Sequence, residues 1–174
     1  MLGVPAYGYI NPSKATRLHA RRAHYALLSS TFGKAVLPRS LADTAQVADT
    51  AQVVTVKNMD GNTNGGQVQF NELVRQGALI VAKRAGDKRQ IRPSKFVGAG
   101  GFTRFWDDCS STPFLTSPYV NQVITYDDPE SLALKAAFAK DAGMLGVSMF
   151  DVTGDTANWD LVRSLRSGLG LSTT

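Results

Sequence analysis

The chain has 174 residues, with 19 Lys+Arg against 14 Asp+Glu, two His and one Cys. That length holds one domain, or one domain with a small lobe, and 43% hydrophobic with 19% charged residues reads as globular rather than disordered. No apolar run reaches the ~18 residues of a membrane span, and the single Cys109 excludes an internal disulfide framework or a Cys-based zinc cluster.

Met1 to Gly8 lacks a basic n-region and meets Pro5 early, so it does not read as a signal peptide. The charge is uneven: residues 1–100 carry 14 basic and 5 acidic side chains, residues 101–174 carry 5 and 9. The basic half peaks between Lys83 and Lys95, which reads either as a phosphate-binding stretch or as a solvated, partly helical surface. No aromatic is interleaved there to stack on a base, which favours the second reading. The acidic half suits a site for neutral or cationic groups.

In chain order, Leu2 to Tyr7 reads as a short buried strand that reaches a loop at Gly8. Residues 15–32 have helical apolar spacing at Leu18, Tyr25, Leu28 and Phe32. His19 and His24 lie five apart, not the spacing that sets two ligands on one helical face. Residues 42–47 are repeated at 48–53, too short a unit for a solenoid, and read as a lengthened loop or strand edge. Gln52 to Lys57 alternates like a strand, and Asn58 to Gly66 is a turn cluster. Phe70-Asn71-Glu72-Leu73 opens a helix whose apolar positions continue through Leu79 and Ile80, and Val120 to Tyr126 is β-rich.

Asp128, Pro129 and Glu130 form a helix start, as cap, first helical residue and first-turn anion, and Gly143 ends that helix. Leu145 to Phe150 reads as a short buried strand, Asp151 to Thr156 as a polar loop, and Trp159, Leu161, Val162 and Leu165 as a final helix. Tyr7 and Tyr9 follow the first strand; Phe150, Asp151 and Asp155 follow the last. Aromatics beside carboxylates at strand ends suit a sugar, whose apolar face stacks while its hydroxyls bond. Spacing alone favours the ordinary reading, aromatics that end strands for packing with Asp155 as a helix cap. Other chemistries lack their motifs: Gly98 to Gly101 has no following Lys-Ser/Thr and no GxGxxG spacing, and no Ser lies in GxSxG.

The segment Leu2-Gly3-Val4-Pro5-Ala6-Tyr7-Gly8 resembles the seventh barrel strand of glycoside hydrolase family 18, the chitinases. Phe70-Asn71-Glu72-Leu73, Trp106-Asp107 and Thr112-Pro113-Phe114-Leu115 are similar to parts of that family's small α+β insertion. Tyr126-Asp127-Asp128-Pro129-Glu130-Ser131 with Lys135 resembles its aromatic-Asp-Asp-x-x-Ser-x-x-x-Lys helix start, and Leu145 to Asp155 resembles its eighth strand in a fungal-like form. The resemblance implies an α/β fold: the C-terminal part of a (β/α)8 TIM barrel, strands 7 and 8, carrying the insertion. It divides the chain into strand 7 and its loop over 1–10, the insertion and its connections over 11–126, and barrel helix, strand 8 and final helix over 127–174.

For function, the resemblance implies the substrate-binding C-terminal part of a chitinase, which hydrolyses β-1,4-N-acetylglucosamine polymers by a substrate-assisted retaining mechanism. The partner is chitin or chitooligosaccharides, with no cofactor, metal, nucleic acid or membrane, and with the rest of the barrel supplied by an N-terminal half. The complete protein is expected outside the cell or at the cell wall. The family's catalytic Glu ends a DxxDxDxE motif that these 174 residues do not contain, so the chain alone is expected to be inactive. The alternative is a non-catalytic, lectin-like chitin binder. Residue by residue, Tyr7 matches the cleft tyrosine and Glu72 the insertion glutamate that bonds the sugar. Phe150 stands where most members place a stacking tryptophan, and Tyr9 where many have arginine. Asp151 and Asp155 receive no catalytic role.

Overall fold

A computed structural model describes residues 1–15, 18, 52–82 and 95–171. Most of the helix expected over 15–32, with His19 and His24, most of the 42–53 duplication and the interior of the basic run lie outside these residues.

The fold is mixed α/β. Two strands, β1 (Leu2–Pro5) and β9 (Val147–Phe150), pair in parallel with Leu2 opposite Val147 and Pro5 opposite Phe150. The stretch expected as one strand from Leu2 to Tyr7 is in fact two. The chain bends at Ala6 and continues as β2 (Tyr7–Asn11) in a separate antiparallel sheet. That sheet also contains β3 (Gly66–Gln69), β6 (Thr103–Asp107), β7 (Thr112–Thr116) and β8 (Val123–Thr125), in the order β3-β2-β8-β7-β6. Ile10, Val68, Leu115 and Ile124 point to one side and are buried with Phe70, Leu73 and Tyr126.

Helix α1 (Phe70–Arg75) starts where expected but stops early. Gly77 adopts φ +80°, a backbone state that favours glycine, and Leu79–Val81 becomes strand β4, paired with β5 (Phe96–Gly98). The expected strand over Gln52 to Lys57 is an extended segment without a ladder, because side-chain amides take the place of a neighbouring strand. Gln122 accepts from the Val56 N–H (3.0 Å) and donates to its carbonyl (2.8 Å), and Gln76 does the same for Lys57 (2.7 and 3.0 Å).

Helix α2 (Pro129–Asp141) begins as the sequence dictates. Asp128 accepts from the Glu130 and Ser131 N–H groups, and the Ser131 hydroxyl accepts from the Asp128 N–H, a reciprocal capping box. Strand β9 is less buried than expected: Phe150 is 70% exposed and Leu145, just outside the strand, 96%. Val147 and Met149 pack on the core, and the opposite face has no cover among the described residues. A 3-10 turn, Val152–Gly154, leads to α3 (Asp160–Gly168), which packs on α2. Trp159 lies just outside that helix, half exposed, with φ +58°.

Candidate functional site

Tyr7 and Tyr9 are two apart on β2, so both leave the same face, while Gly8 and Ile10 turn inward and are buried. A Cβ on Gly8 would collide with the Thr125 carbonyl on the neighbouring strand. The tyrosine rings stand edge to face, 5.7 Å apart, the geometry favoured by their quadrupoles.

Ala6 ties three separate pieces of chain together. Its N–H donates to the Phe150 carbonyl (3.0 Å), and its carbonyl accepts from the Phe70 N–H (3.0 Å). The end of β9, the bend before β2 and the start of α1 therefore meet at one buried residue. Phe150, joined to Asp151 by a cis peptide bond, leaves β9 there with its ring in solvent.

Glu72 lies in the first turn of α1 and accepts from Arg75 (2.5, 2.8 and 3.0 Å) and from Gln76 (3.3 Å). The Arg75 hydrogen bonds hold its carboxyl below the ordinary glutamate value, so at neutral pH it is an acceptor-only group suited to hydroxyl or amide donors. It lines an open groove of about 860 Å³ with Met59, Gln69, Asn71, Gln76 and Thr153. Tyr7, Tyr9 and Phe150 do not line this groove; they stand next to it in sequence and pairing, with Tyr7 opposite Gln69.

Asp151 and Asp155 are occupied by the backbone. Asp151 accepts from the Thr153 N–H (2.8 Å) and hydroxyl, and the hydroxyl bond is the main reason its pKa lies below the usual value. Asp155 accepts from the N–H groups of Thr156 (2.7 Å), Leu161 (2.9 Å) and Val162 (2.9 Å); it thus satisfies first-turn donors of α3 from outside the helix, whose N-cap position is Trp159. Burial nevertheless raises its pKa.

Two arrangements escaped the sequence reading. Arg104, buried on β6, donates to Asp128 (2.8 and 3.1 Å) and Glu130 (3.1 Å) and lies 5.4 Å from the Trp106 ring centroid. It joins the antiparallel sheet to the start of α2. An arginine alternating with Phe102 and Trp106 on a strand was the available signal, since a buried cation requires carboxylates. The second is Asn71, whose amide donates to the carbonyls of Thr153 (2.7 Å) and Asp155 (3.1 Å). Nothing in its sequence neighbourhood announces a contact more than 80 residues away.

The fold is that of a mixed α/β protein, and residues 1–155 match Glycosyl hydrolases family 18. The chain belongs to that family. A "chitinase-like effector" of Moniliophthora roreri is 30% identical over 172 residues, covering 98% of this chain and 37% of the relative. Chitinase A1 of Niallia circulans is 32% identical over 76 residues, 44% of this chain and 11% of the relative. A class V chitinase of Nicotiana tobaccum, solved in complex with NAG4, superimposes with a TM-score of 0.54 at 20% identity, over 99% of this chain and 34% of that one. The chain thus spans little more than a third, at most, of the length of these proteins.

Proposed function

We propose that this chain is the substrate-binding C-terminal part of a chitinase-type domain, with β1 and β9 as the seventh and eighth strands of a (β/α)8 barrel. In this reading residues 1–10 are strand 7 and its loop, 11–126 the insertion and its connections, and 127–174 the closing helix, strand 8 and last helix. The parallel pairing of β1 with β9 supports it, since parallel strands are normally covered on both faces by further βα units. The remaining strands come from an N-terminal barrel half, and the whole protein acts outside the cell or at its wall.

The ligand is an N-acetylglucosamine oligomer. Phe150 offers an apolar ring to one sugar face, Tyr7 and Tyr9 line the approach, and Glu72 accepts a hydrogen bond from the sugar. The observation that supports this reading is the backbone junction at Ala6, where the end of β9, the bend before β2 and the start of α1, the elements that carry these four residues, meet. In the whole domain the sugar's N-acetyl carbonyl attacks its own anomeric carbon while the glutamate of DxxDxDxE protonates the leaving oxygen. The present residues hold the sugar and contribute no proton donor. A second reading is a lectin-like chitin binder without turnover, and the Moniliophthora roreri relative is named chitinase-like rather than chitinase; residues upstream that supply DxxDxDxE would decide against it.

The test is calorimetric titration of the 174-residue chain with NAG4, beside a turnover assay. Binding without hydrolysis is expected, with affinity lowered about tenfold by Phe150→Ala and raised by Phe150→Trp, in line with the ~0.5–1.5 kcal/mol of aromatic contacts. Absence of binding, or hydrolysis by this chain, would overturn the proposal.

A further inference from the structure

We propose that Asn71 is a positioning residue for the sugar platform: its amide clasps the loop after β9 and so sets Phe150 relative to Glu72. The inference rests on the sugar-binding reading above. Among the described residues, β9 pairs only with β1, and the Phe150 ring stands 70% exposed, so its place depends on the backbone on either side. Before it, the register with Pro5 and the bond from the Ala6 N–H fix the strand. After it, both Asn71 amide hydrogens go to main-chain carbonyls, Thr153 at 2.7 Å and Asp155 at 3.1 Å.

Carbonyls only accept, so the amide can face them only with its nitrogen. Its Oδ1 is buried and has no partner among the described residues, a cost the two donated bonds must exceed. The clasped turn is already close-set: a Cβ on Gly154 would collide with the Ala6 carbonyl and the Gln69 side chain. Asn71 is the immediate neighbour of Glu72, so one short helix carries both the sugar-binding carboxylate and the hook on the loop bearing its stacking partner.

The test compares Asn71→Ala and the isosteric Asn71→Asp, whose carboxylate cannot donate and repels both carbonyls, with the wild-type chain. The amides of Gly154 and Asp155, which close the turn onto Asp151 and Val152, are expected to exchange about tenfold faster or more, while those of the β7–β8 ladder are unchanged. NAG4 affinity is expected to fall about tenfold, as for Phe150→Ala, and the double variant to fall no further, since the two act as one unit. Asn71→Ser keeps one donor and should lie between; it serves if the other variants fail to fold. Unaltered exchange, unaltered affinity, or faster exchange throughout the sheet each overturns the clasp. If the wild-type chain fails to bind NAG4, the proposed function falls and takes the positioning role with it. If it binds, and Asn71→Ala binds equally well, only the clasp falls.

Discussion

The five-stranded antiparallel sheet and the β1–β9 pair share one chain but differ in how they meet their own needs. The sheet supplies its own cover: central β8 is flanked on both sides, Ile124 is fully buried, and two glutamine amides complete the extended segment at its margin. The parallel pair has one face on the core and leaves Phe150, Leu145 and, on α2, Leu134 and Phe138 in solvent. Antiparallel sheets tolerate one wet face, whereas parallel ones rarely do. The antiparallel unit is thus locally complete, whereas the parallel pair is shaped for neighbours on its open face.

Arg104 bridges the two regions, and breaking it should have the largest effect. Arg104→Met strands the Asp128 carboxylate in the interior and is expected to cost about 3–5 kcal/mol by chemical denaturation at neutral pH. The pH dependence has a definite sign. Burial already raises the pKa of Asp128 in the fold, and losing Arg104 raises it further. A carboxyl with a higher pKa folded than unfolded penalises the fold when ionised, so the variant should recover stability as pH falls through the folded value.

Within the regions, Ile124→Ala should cost about 2–5 kcal/mol, whereas Leu145→Ser should shift stability by less than about 0.5 kcal/mol. Equal losses would show that the parallel region is as well covered as the sheet. The smallest effect concerns Glu72. Its hydrogen bonds from Arg75 depress the carboxyl below the ordinary value of 4.5, so NAG4 binding should persist as pH falls past that point. Arg75→Ala should move the acid limb of the binding profile up towards 4.5 and leave neutral-pH stability nearly unchanged, because Arg75 is exposed.

Features governed by adjacent residues were legible in the sequence. Asp128-Pro129-Glu130 announced α2 because caps act within one turn, and Gly143 marked its end. Helix α1 was read too long because Leu79 and Ile80 continued a helical spacing across Gly77, where they in fact form β4. The apolar run over 145–150 suggested burial, since a sequence records what a residue is made to pack against, whatever the described residues provide. Arg104 and Asn71 went unseen because their partners lie 24 or more residues away and, for Asn71, are main-chain carbonyls that any residue would offer. Tyr7, Tyr9 and Phe150 drew attention as aromatics at strand ends, a pattern that left sugar binding and ordinary packing both open; their individual roles, and Glu72 altogether, came through family resemblance.

The bend at Ala6 also limits how this architecture can be edited. A single residue added or removed between Pro5 and Tyr7 would slip β2 by one position and exchange its faces. Side chains would then fall where Gly8 has no room beside Thr125, and the tyrosine pair would turn into the core. Grafting the antiparallel unit onto another parallel pair, or swapping it between relatives, should therefore preserve this one-residue hinge. Length variation is better placed at the Asn58–Gly66 turn cluster, away from that junction.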